Sequence, residues 1–384
     1  MSREIARYSK GIVLLAWLTF ITAVVHAEAI VPSPPSLAAK SYVLMDFASR
    51  RFIVEHNPNL RSDPASLTKI MTAYVVFNEL KNGNIRLDDK VHISEKAWRM
   101  EGSRMFVEVD KEVPVADLIK GMVIQSGNDA SVALAEHVAG SEEAFASLMN
   151  KHARRLGMND THFVNATGLP DKEHYTTAHD LALLTRALIE EFPDHYKLNS
   201  QKKFHYNGIT QYNRNKLLWR DPAVDGVKTG HTEAAGYCLV ASAKRDDMRL
   251  ISVVMNTASE KARAAESQKL LRYGFRFFSS HRLYAANEPL TRLPVWKGES
   301  AEVAVGLEQP LHVLIPRGQY DNLKATMNVD ETIVAPVEKG REFGTVSVTL
   351  NGKQIAQQPL ISLESVAEGG LFTRLRDSVL LLVR

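Results

Sequence analysis

Cysteine is nearly absent from this chain, since Cys238 is the single cysteine among 384 residues. One thiol cannot form an internal disulfide, so the fold depends on its hydrophobic core alone. Cys238 lies in an apolar, strand-like run, which favours a packing role over a chemical one. The length leaves room for two domains and a sizeable core.

A strong excess of one charge is also missing, because the formal net charge is only +3 at pH 7. No stretch combines clustered basic residues with interleaved aromatic residues, which argues against a nucleic-acid partner. The 13 histidines include no His-Glu-x-x-His motif and the others lack ligand spacing. We therefore expect neither a metal nor another cofactor, and the zinc peptidases are disfavoured as a class.

An apolar run near the N-terminus, residues 11–25, is too short to span a bilayer comfortably. Basic residues precede this run. Small residues stand at its last position, Val25, and just after it, at Ala27. The pattern predicts a secretory signal peptide over residues 1–27, and an uncleaved membrane anchor is the alternative. The basic residues are Arg3, Arg7 and Lys10. A proline-rich linker is predicted at residues 28–37.

Hydrophobic periodicity divides the remaining chain into an α+β domain, residues 38–282, and a small all-β domain, residues 283–363. In the first, we predict an antiparallel sheet flanked by helices, together with a helical block. Its predicted strands are 41–46, 51–55, 237–243 and 249–256, and its predicted helices are 115–124, 130–138, 142–156, 178–189 and 259–277. In the second, Asn351 and Gly352 predict a tight hairpin between two β-type runs.

The last segment, residues 364–384, has the pattern of an amphipathic helix. Apolar residues fall mostly on one face, and the helical stretch itself, residues 370–384, is shorter than the roughly 20 residues that span a membrane. A helix lying in the membrane interface and a helix docked on its own domain fit this periodicity equally well. The apolar residues are Leu371, Phe372, Leu375, Val379, Leu382 and Val383, and the basic ones are Arg374, Arg376 and Arg384.

The stretch after Asp63 predicts a turn followed by a helix that is apolar on nearly every face. Ser66 and Lys69 stand at positions i and i+3, so they share one helical face. A desolvated lysine can take the proton of a serine hydroxyl, which makes Ser66 a candidate nucleophile and Lys69 its base. The alternative role for Ser66 is a helix cap. A second Ser-x-x-Lys match at Ser200 lacks the apolar helix and is interpreted as a coincidence.

Two later motifs favour the catalytic interpretation. Ser126-Gly127-Asn128 stands in a break between helical runs, and Lys228-Thr229-Gly230 begins a strand. Each motif alone is compatible with an ordinary turn or with the start of a strand. In the order Ser-x-x-Lys, Ser-x-Asn, Lys-Thr-Gly, they are typical of serine β-lactamases and penicillin-binding proteins.

Residues 225–232, with 235–237, 248–252 and 315–318, closely resemble the D-alanyl-D-alanine carboxypeptidases of the penicillin-binding protein 5 and 6 type. The resemblance covers essentially the whole chain after the signal peptide. It implies a transpeptidase domain like that of penicillin-binding proteins and serine β-lactamases, then the all-β domain and an amphipathic tail. It also implies cleavage of a terminal D-Ala-D-Ala bond through an acyl-serine intermediate.

The resemblance assigns roles to individual residues. Ser66 would attack the carbonyl, Lys69 would be the base, and Ser126 would relay a proton to the leaving amine. Like-charge repulsion from Lys228 would disfavour the charged form of Lys69. The implied substrate-binding residues are Asn128, Lys228, Thr229, Gly230, His231, Arg263 and Arg214. Among these, Thr229 and Arg263 would hold the terminal carboxylate, backbone N–H groups of Ser66 and His231 would form the oxyanion hole, and Asp180 would lie near the site.

The expected partners are a peptidoglycan pentapeptide ending in D-Ala-D-Ala, β-lactam antibiotics, and a membrane surface contacted by the tail. The expected location is the periplasmic face of the bacterial inner membrane. A β-lactamase is the nearest alternative, but residues 156–179 offer only Glu173 to activate a deacylating water. A non-catalytic penicillin-binding envelope protein is a second alternative, which turnover of a D-Ala-D-Ala peptide would distinguish.

Overall fold

The computed structural model describes residues 31–329 and 332–382. The predicted signal peptide and the first part of the predicted linker lie outside these residues, as do Val383 and Arg384 of the tail. The helices are α1 (Lys69–Lys81), α2 (Glu95–Trp98), α3 (Val115–Lys120), α4 (Asn128–Ala139), α5 (Glu142–Arg155), α6 (Ala178–Glu191), α7 (Pro193–Tyr196), α8 (Leu217–Arg220), α9 (Glu260–Phe277) and α10 (Leu371–Leu382).

The described residues before Glu260 form nine strands. They are β1 (Ser41–Asp46), β2 (Phe52–His56), β3 (Lys90–His92), β4 (Glu112–Pro114), β5 (Lys203–Tyr206), β6 (Ile209–Tyr212), β7 (Val224–Thr232), β8 (Gly236–Arg245) and β9 (Met248–Thr257). Five of them build an antiparallel sheet in the order β2-β1-β9-β8-β7, so β7 is an edge strand. The short hairpins β3–β4 and β5–β6, which the sequence did not predict, lie outside this sheet.

Helices cover the five-stranded sheet because its central strands are apolar on both faces. Helix α9 packs against β8 and β9, and its Gly274 allows close approach, since a Cβ there would lie 2.6 Å from Leu250 Cδ1. Helix α6 packs against β9 and β1. Helix α1 runs through the helical block with every residue from Lys69 to Phe77 buried, which confirms the predicted core helix.

One predicted helix, residues 115–124, is corrected by the structure. Helix α3 ends at Lys120, and Gly121–Gln125 continues as a π-helical turn that ends at Ser126. The side chain of Met105 packs directly on Gly121, where a Cβ would overlap it. A π-turn adds a residue per turn and is frequent at functional sites. Here Ser126, which directly follows the π-turn, has a left-handed conformation, with φ 72°.

After α9, the described residues are all-β apart from a 3-10 turn and the last helix. Its strands are β10 (Phe278–Tyr284), β11 (Pro289–Trp296), β12 (Glu302–Gly306), β13 (Leu311–Pro316), β14 (Leu323–Val329), β15 (Ile333–Val334), β16 (Glu342–Leu350) and β17 (Lys353–Ser362). Six strands form a sheet in the order β14-β16-β17-β12-β11-β15, and β10 pairs with β13. Asn351 and Gly352 have positive φ and close the predicted β16–β17 hairpin.

The last helix, α10, contacts the all-β part through its polar side. Asp377 is buried and accepts a 2.7 Å hydrogen bond from the Lys297 backbone N–H, and Arg374 pairs with Glu368 at 2.7 Å. Its apolar face is exposed, with Phe372 89% accessible. No helix in the described parts of the chain has the length and apolarity needed to cross a bilayer.

Candidate active site

Ser66 lies in a 3-10 turn, Ala65–Thr68, immediately before α1. Ala65 has a left-handed conformation with φ 47°, which is costly for a residue with a Cβ. Ser66 is half-buried, and its hydroxyl contacts the Lys69 ammonium nitrogen at 3.1 Å. The cap residue of the turn is Pro64, so the alternative role of Ser66 as a helix cap is wrong.

Lys69 is 2% exposed and makes three polar contacts through Nζ. Besides Ser66 Oγ, Nζ donates to Asn128 Oδ1 at 2.7 Å and to the Thr167 carbonyl at 2.6 Å. Burial lowers the pKa of Lys69 from 10.5 to about 7; the Asp129 carboxylate opposes this shift and the Arg214 charge adds to it. The predicted desolvation of Lys69 is thus the main cause of its low pKa, and the cation that adds to it is Arg214 rather than the predicted Lys228.

Lys228 forms a second pair with a hydroxyl. Its Nζ donates to Ser126 Oγ at 2.8 Å and to the Thr229 carbonyl at 3.1 Å. Burial lowers the pKa of Lys228 well below its ordinary value, and the charges of Lys69, Arg214 and Arg263 lower it further. Two serine–lysine pairs thus face each other, one on the α1 side and one between the π-turn and β7.

Asn128 begins α4 and contacts the lysine of the first pair. Its Oδ1 accepts from Lys69, and its Nδ2 donates to the Glu101 carbonyl at 2.6 Å, which fixes the orientation of the amide. The next residue, Asp129, is 1% exposed and accepts backbone N–H bonds from residues 105, 106 and 107. Asp129 therefore holds the 105–107 segment against the start of α4.

These groups open onto a cavity of about 420 Å³. Most of the predicted site residues line this cavity. The two lysines are not part of the lining, but their side chains contact the hydroxyls of two lining residues, Ser66 and Ser126. The predicted residues on the lining are Ser66, Ser126, Asn128, Arg214, Thr229, Gly230, His231 and Arg263. Gly230 packs closely against the turn that carries Ser66, since a Cβ at this position would lie 3.0 Å from the Pro64 carbonyl oxygen.

Arg263 reaches the cavity from α9. Its side chain is 4% exposed, donates to the Gly230 carbonyl at 3.1 Å, and lies over the Tyr237 ring at 5.6 Å. Arg263 is therefore buried and held in place, unlike a charged residue on the solvent face of a helix. Arg214 is exposed at the rim. The two arginines place positive charge at the cavity, although Glu260 on the lining pairs with Arg263 at 3.4 Å, and this charge suits a ligand bearing a carboxylate.

Comparison with known proteins agrees with this geometry. Residues 28–259 match the family described as D-alanyl-D-alanine carboxypeptidase, and residues 278–368 match the penicillin-binding protein 5 C-terminal domain. The chain belongs to the D-alanyl-D-alanine carboxypeptidase family. It is a serine-type hydrolase of that class, and the α+β domain followed by an all-β domain is confirmed.

Individual carboxypeptidases support the assignment over most of the chain. The D-alanyl-D-alanine carboxypeptidase DacC of Escherichia coli (strain K12) is 46% identical, over 90% of this chain and 89% of that protein. DacA of Haemophilus influenzae is 42% identical, over 92% and 91%. The crystal structure of penicillin-binding protein 5 from Haemophilus influenzae superposes with a TM-score of 0.84 at 42% identity, covering 88% of this chain and all of that one.

The structure also gives the positions of three further residues that the sequence analysis of this carboxypeptidase discussed. Asp180 is buried at the start of α6, where it accepts from Asp160 N and the Thr161 hydroxyl, and it is not among the residues that line the cavity. Ser200 is exposed and donates to the Lys197 carbonyl, as expected of a coincidental match. Glu173 is exposed and lies off the cavity lining, so it is not in a position to activate water near Ser66.

Sequence reasoning missed the loop at residues 165–169, whose backbone contacts Lys69. Thr167, Gly168 and Leu169 line the cavity, and Asn165 supports them through side-chain hydrogen bonds. The group that contacts Lys69 is the backbone carbonyl of Thr167. Every residue type has such a carbonyl, so the sequence does not mark this contact. The Asn-x-x-Gly spacing was the available signal, because asparagine commonly accepts backbone N–H bonds in turns.

Proposed function

We propose that this enzyme removes the terminal D-alanine from peptidoglycan pentapeptides ending in D-Ala-D-Ala, through an acyl intermediate on Ser66. The observation that carries the proposal is the set of three contacts made by Lys69 Nζ. A neutral amine has two N–H donors and one lone pair. Asn128 Oδ1 and the Thr167 carbonyl accept both N–H groups, so the lone pair is directed at Ser66 Oγ.

In the acylation step, Lys69 takes the Ser66 proton while Oγ bonds to the carbonyl carbon of the scissile peptide. The C–N bond then breaks, and the leaving D-alanine amine takes the hydroxyl proton of Ser126. Lys228, which contacts Ser126 Oγ at 2.8 Å, stabilises that oxygen, and the proton taken up by Lys69 restores the hydroxyl, so that Ser126 acts as a relay. The backbone N–H groups of Ser66 and His231 would stabilise the negative oxygen formed at the carbonyl.

Recognition of the substrate would depend on its terminal carboxylate. Arg263 and Thr229 stand at the β7 end of the cavity, and Arg214 adds positive charge at the rim. A fixed guanidinium that is already oriented by the Gly230 carbonyl costs little ordering entropy when it binds an anion. The same contacts would hold the carboxylate of a penicillin, which would acylate Ser66 and be released slowly because Glu173 lies away from the site.

The C-terminal helix would hold this enzyme at the periplasmic face of the inner membrane, without crossing it. The alternative, docking through the apolar face, has less support, because Asp377 makes the contact with the all-β part while that face stays exposed. Burial of apolar side chains in the interface, at roughly 0.8 kcal/mol per CH₂, would drive association. The signal peptide over residues 1–27 and the domain limits at 38–282 and 283–363 belong to this proposal, although β10 crosses residue 282.

The test combines turnover with adduct mapping. We expect the purified protein to release D-alanine from a D-Ala-D-Ala pentapeptide, and Ser66→Ala to abolish both this release and covalent labelling by penicillin G. Mass spectrometry of the labelled wild type should locate the adduct on Ser66. An adduct on Ser126, or labelling that persists in a folded Ser66→Ala variant, would contradict the assignment.

A further inference from the structure

One peptide group connects the lysine base to a side chain on the cavity loop. The carbonyl of the Thr167–Gly168 peptide accepts from Lys69 Nζ at 2.6 Å. The N–H of the same peptide, on Gly168, donates to Asn165 Oδ1 at 2.7 Å. Because a peptide group is planar, the Asn165 bond on one side fixes the direction of the carbonyl on the other.

Asn165 holds this peptide through several bonds. Its Oδ1 also accepts from the Thr167 N–H and the Thr167 hydroxyl, each at 3.1 Å, and its Nδ2 donates to the Leu169 carbonyl at 3.0 Å. The side chain therefore spans the whole Thr167–Leu169 turn. Asn165 itself is half-buried and is not part of the cavity lining.

The turn depends on this support because its backbone is under constraint. Gly168 has φ +84°, and a Cβ there would overlap the Ala65 carbonyl of the turn that carries Ser66. The peptide is thus packed between the nucleophile turn and Asn165. If the Asn165 acceptor is lost, the N–H groups of Thr167 and Gly168 have no side-chain partner, and the carbonyl is free to rotate away from Lys69.

We propose that Asn165 is a positioning residue for acylation: it orients the Thr167 carbonyl so that the Lys69 lone pair is directed at Ser66. This inference rests on the proposed role of Lys69 as the base. Asn165 does not touch the substrate, so its effect should fall on the chemical step rather than on binding. Misplacement of a reacting group by about 1 Å can reduce a rate by about a hundredfold.

The experiment compares Asn165→Ala with Asn165→Asp and with a control, Asn150→Ala. Aspartate keeps the oxygen that accepts both backbone N–H groups, and its charge adds an attraction that raises the pKa of Lys69. Asn150 is also half-buried and also bonds the backbone of this loop, but at Phe163, away from Lys69. For each folded variant, the acylation rate constant at saturating penicillin G and the dissociation constant of the initial complex are measured across pH.

We expect Asn165→Ala to lower the saturating acylation rate about ten- to hundredfold with an unchanged dissociation constant. Asn165→Asp should recover most of the rate at high pH, with its acid limb moved to higher pH, and Asn150→Ala should acylate like the wild type. A wild-type rate for Asn165→Ala, no recovery with aspartate, or an equal loss in Asn150→Ala would overturn the inference. Acylation by Lys69→Ala would instead refute the proposed base.

Discussion

The low pKa of Lys69 leads to a quantitative prediction for the pH dependence of the enzyme. A pKa of about 7 instead of 10.5 represents roughly 5 kcal/mol in favour of the neutral amine. At pH 7.4 about 70% of such an amine is neutral, against about 0.1% for an ordinary lysine. Burial therefore increases the population of the competent base roughly a thousandfold near neutral pH.

We expect kcat/KM for D-alanine release to rise with pH, with a midpoint of about 7, because the active form of Lys69 appears as its proton is lost. Below the midpoint the rate should fall about tenfold per pH unit, so at pH 5 it should be about a hundredfold below the plateau. The assay is D-alanine release from the pentapeptide between pH 5 and 9, with penicillin acylation as a second readout.

A flat profile over this range, or a rate that still rises about tenfold per pH unit at pH 9, would refute the argument. The first would show that no lysine must lose its proton for reaction, and the second that burial does not depress its pKa. Lys69→Ala supplies the control, since it should lose acylation at every pH while keeping its thermal stability. Such a loss without unfolding would separate the chemical role of Lys69 from its structural contacts.

Three further results are expected. Arg263→Ala should lower kcat/KM for the pentapeptide about ten- to hundredfold through loss of a charged hydrogen bond, and should change little with a substrate whose terminal carboxylate is amidated. Gly168→Ala should reduce acylation and stability together, because its Cβ would overlap the Ala65 carbonyl; unchanged penicillin labelling would contradict this. Truncation after Gly369, which spares the buried Val366, should leave carboxypeptidase turnover intact and abolish sedimentation with anionic vesicles, whereas equal sedimentation would exclude the helix as an anchor.

Local patterns in the sequence predicted much of the first domain. The strand at residues 41–46 agrees with β1 residue for residue, and helix 178–189 agrees with α6 within two residues at its end. The i, i+3 spacing correctly placed Ser66 and Lys69 in contact. Each of these features depends on neighbours in sequence, which is why periodicity and spacing suffice.

Features that depend on distant contacts were missed. The π-turn before Ser126 depends on Met105 packing against Gly121, and the Thr167 carbonyl reaches Lys69 across 98 positions. The cation that adds to the pKa shift of Lys69 was expected to be Lys228 and is instead Arg214, which is distant in sequence and belongs to none of the three motifs. The hairpins β3–β4 and β5–β6 have strands of only three or four residues, too short for an alternating pattern to emerge.

The left-handed backbone at Ala65 and at Ser126 has a consequence for how such an enzyme can evolve. Each φ, 47° and 72°, is one that glycine adopts without penalty, whereas other residues give up about 1 kcal/mol or more. Selection for thermal robustness alone would favour glycine at both sites. At position 126, glycine would remove the hydroxyl that contacts Lys228. Selection for heat resistance and selection for turnover would therefore favour different residues at this position. Thermostable relatives would then have to gain their robustness elsewhere in the fold.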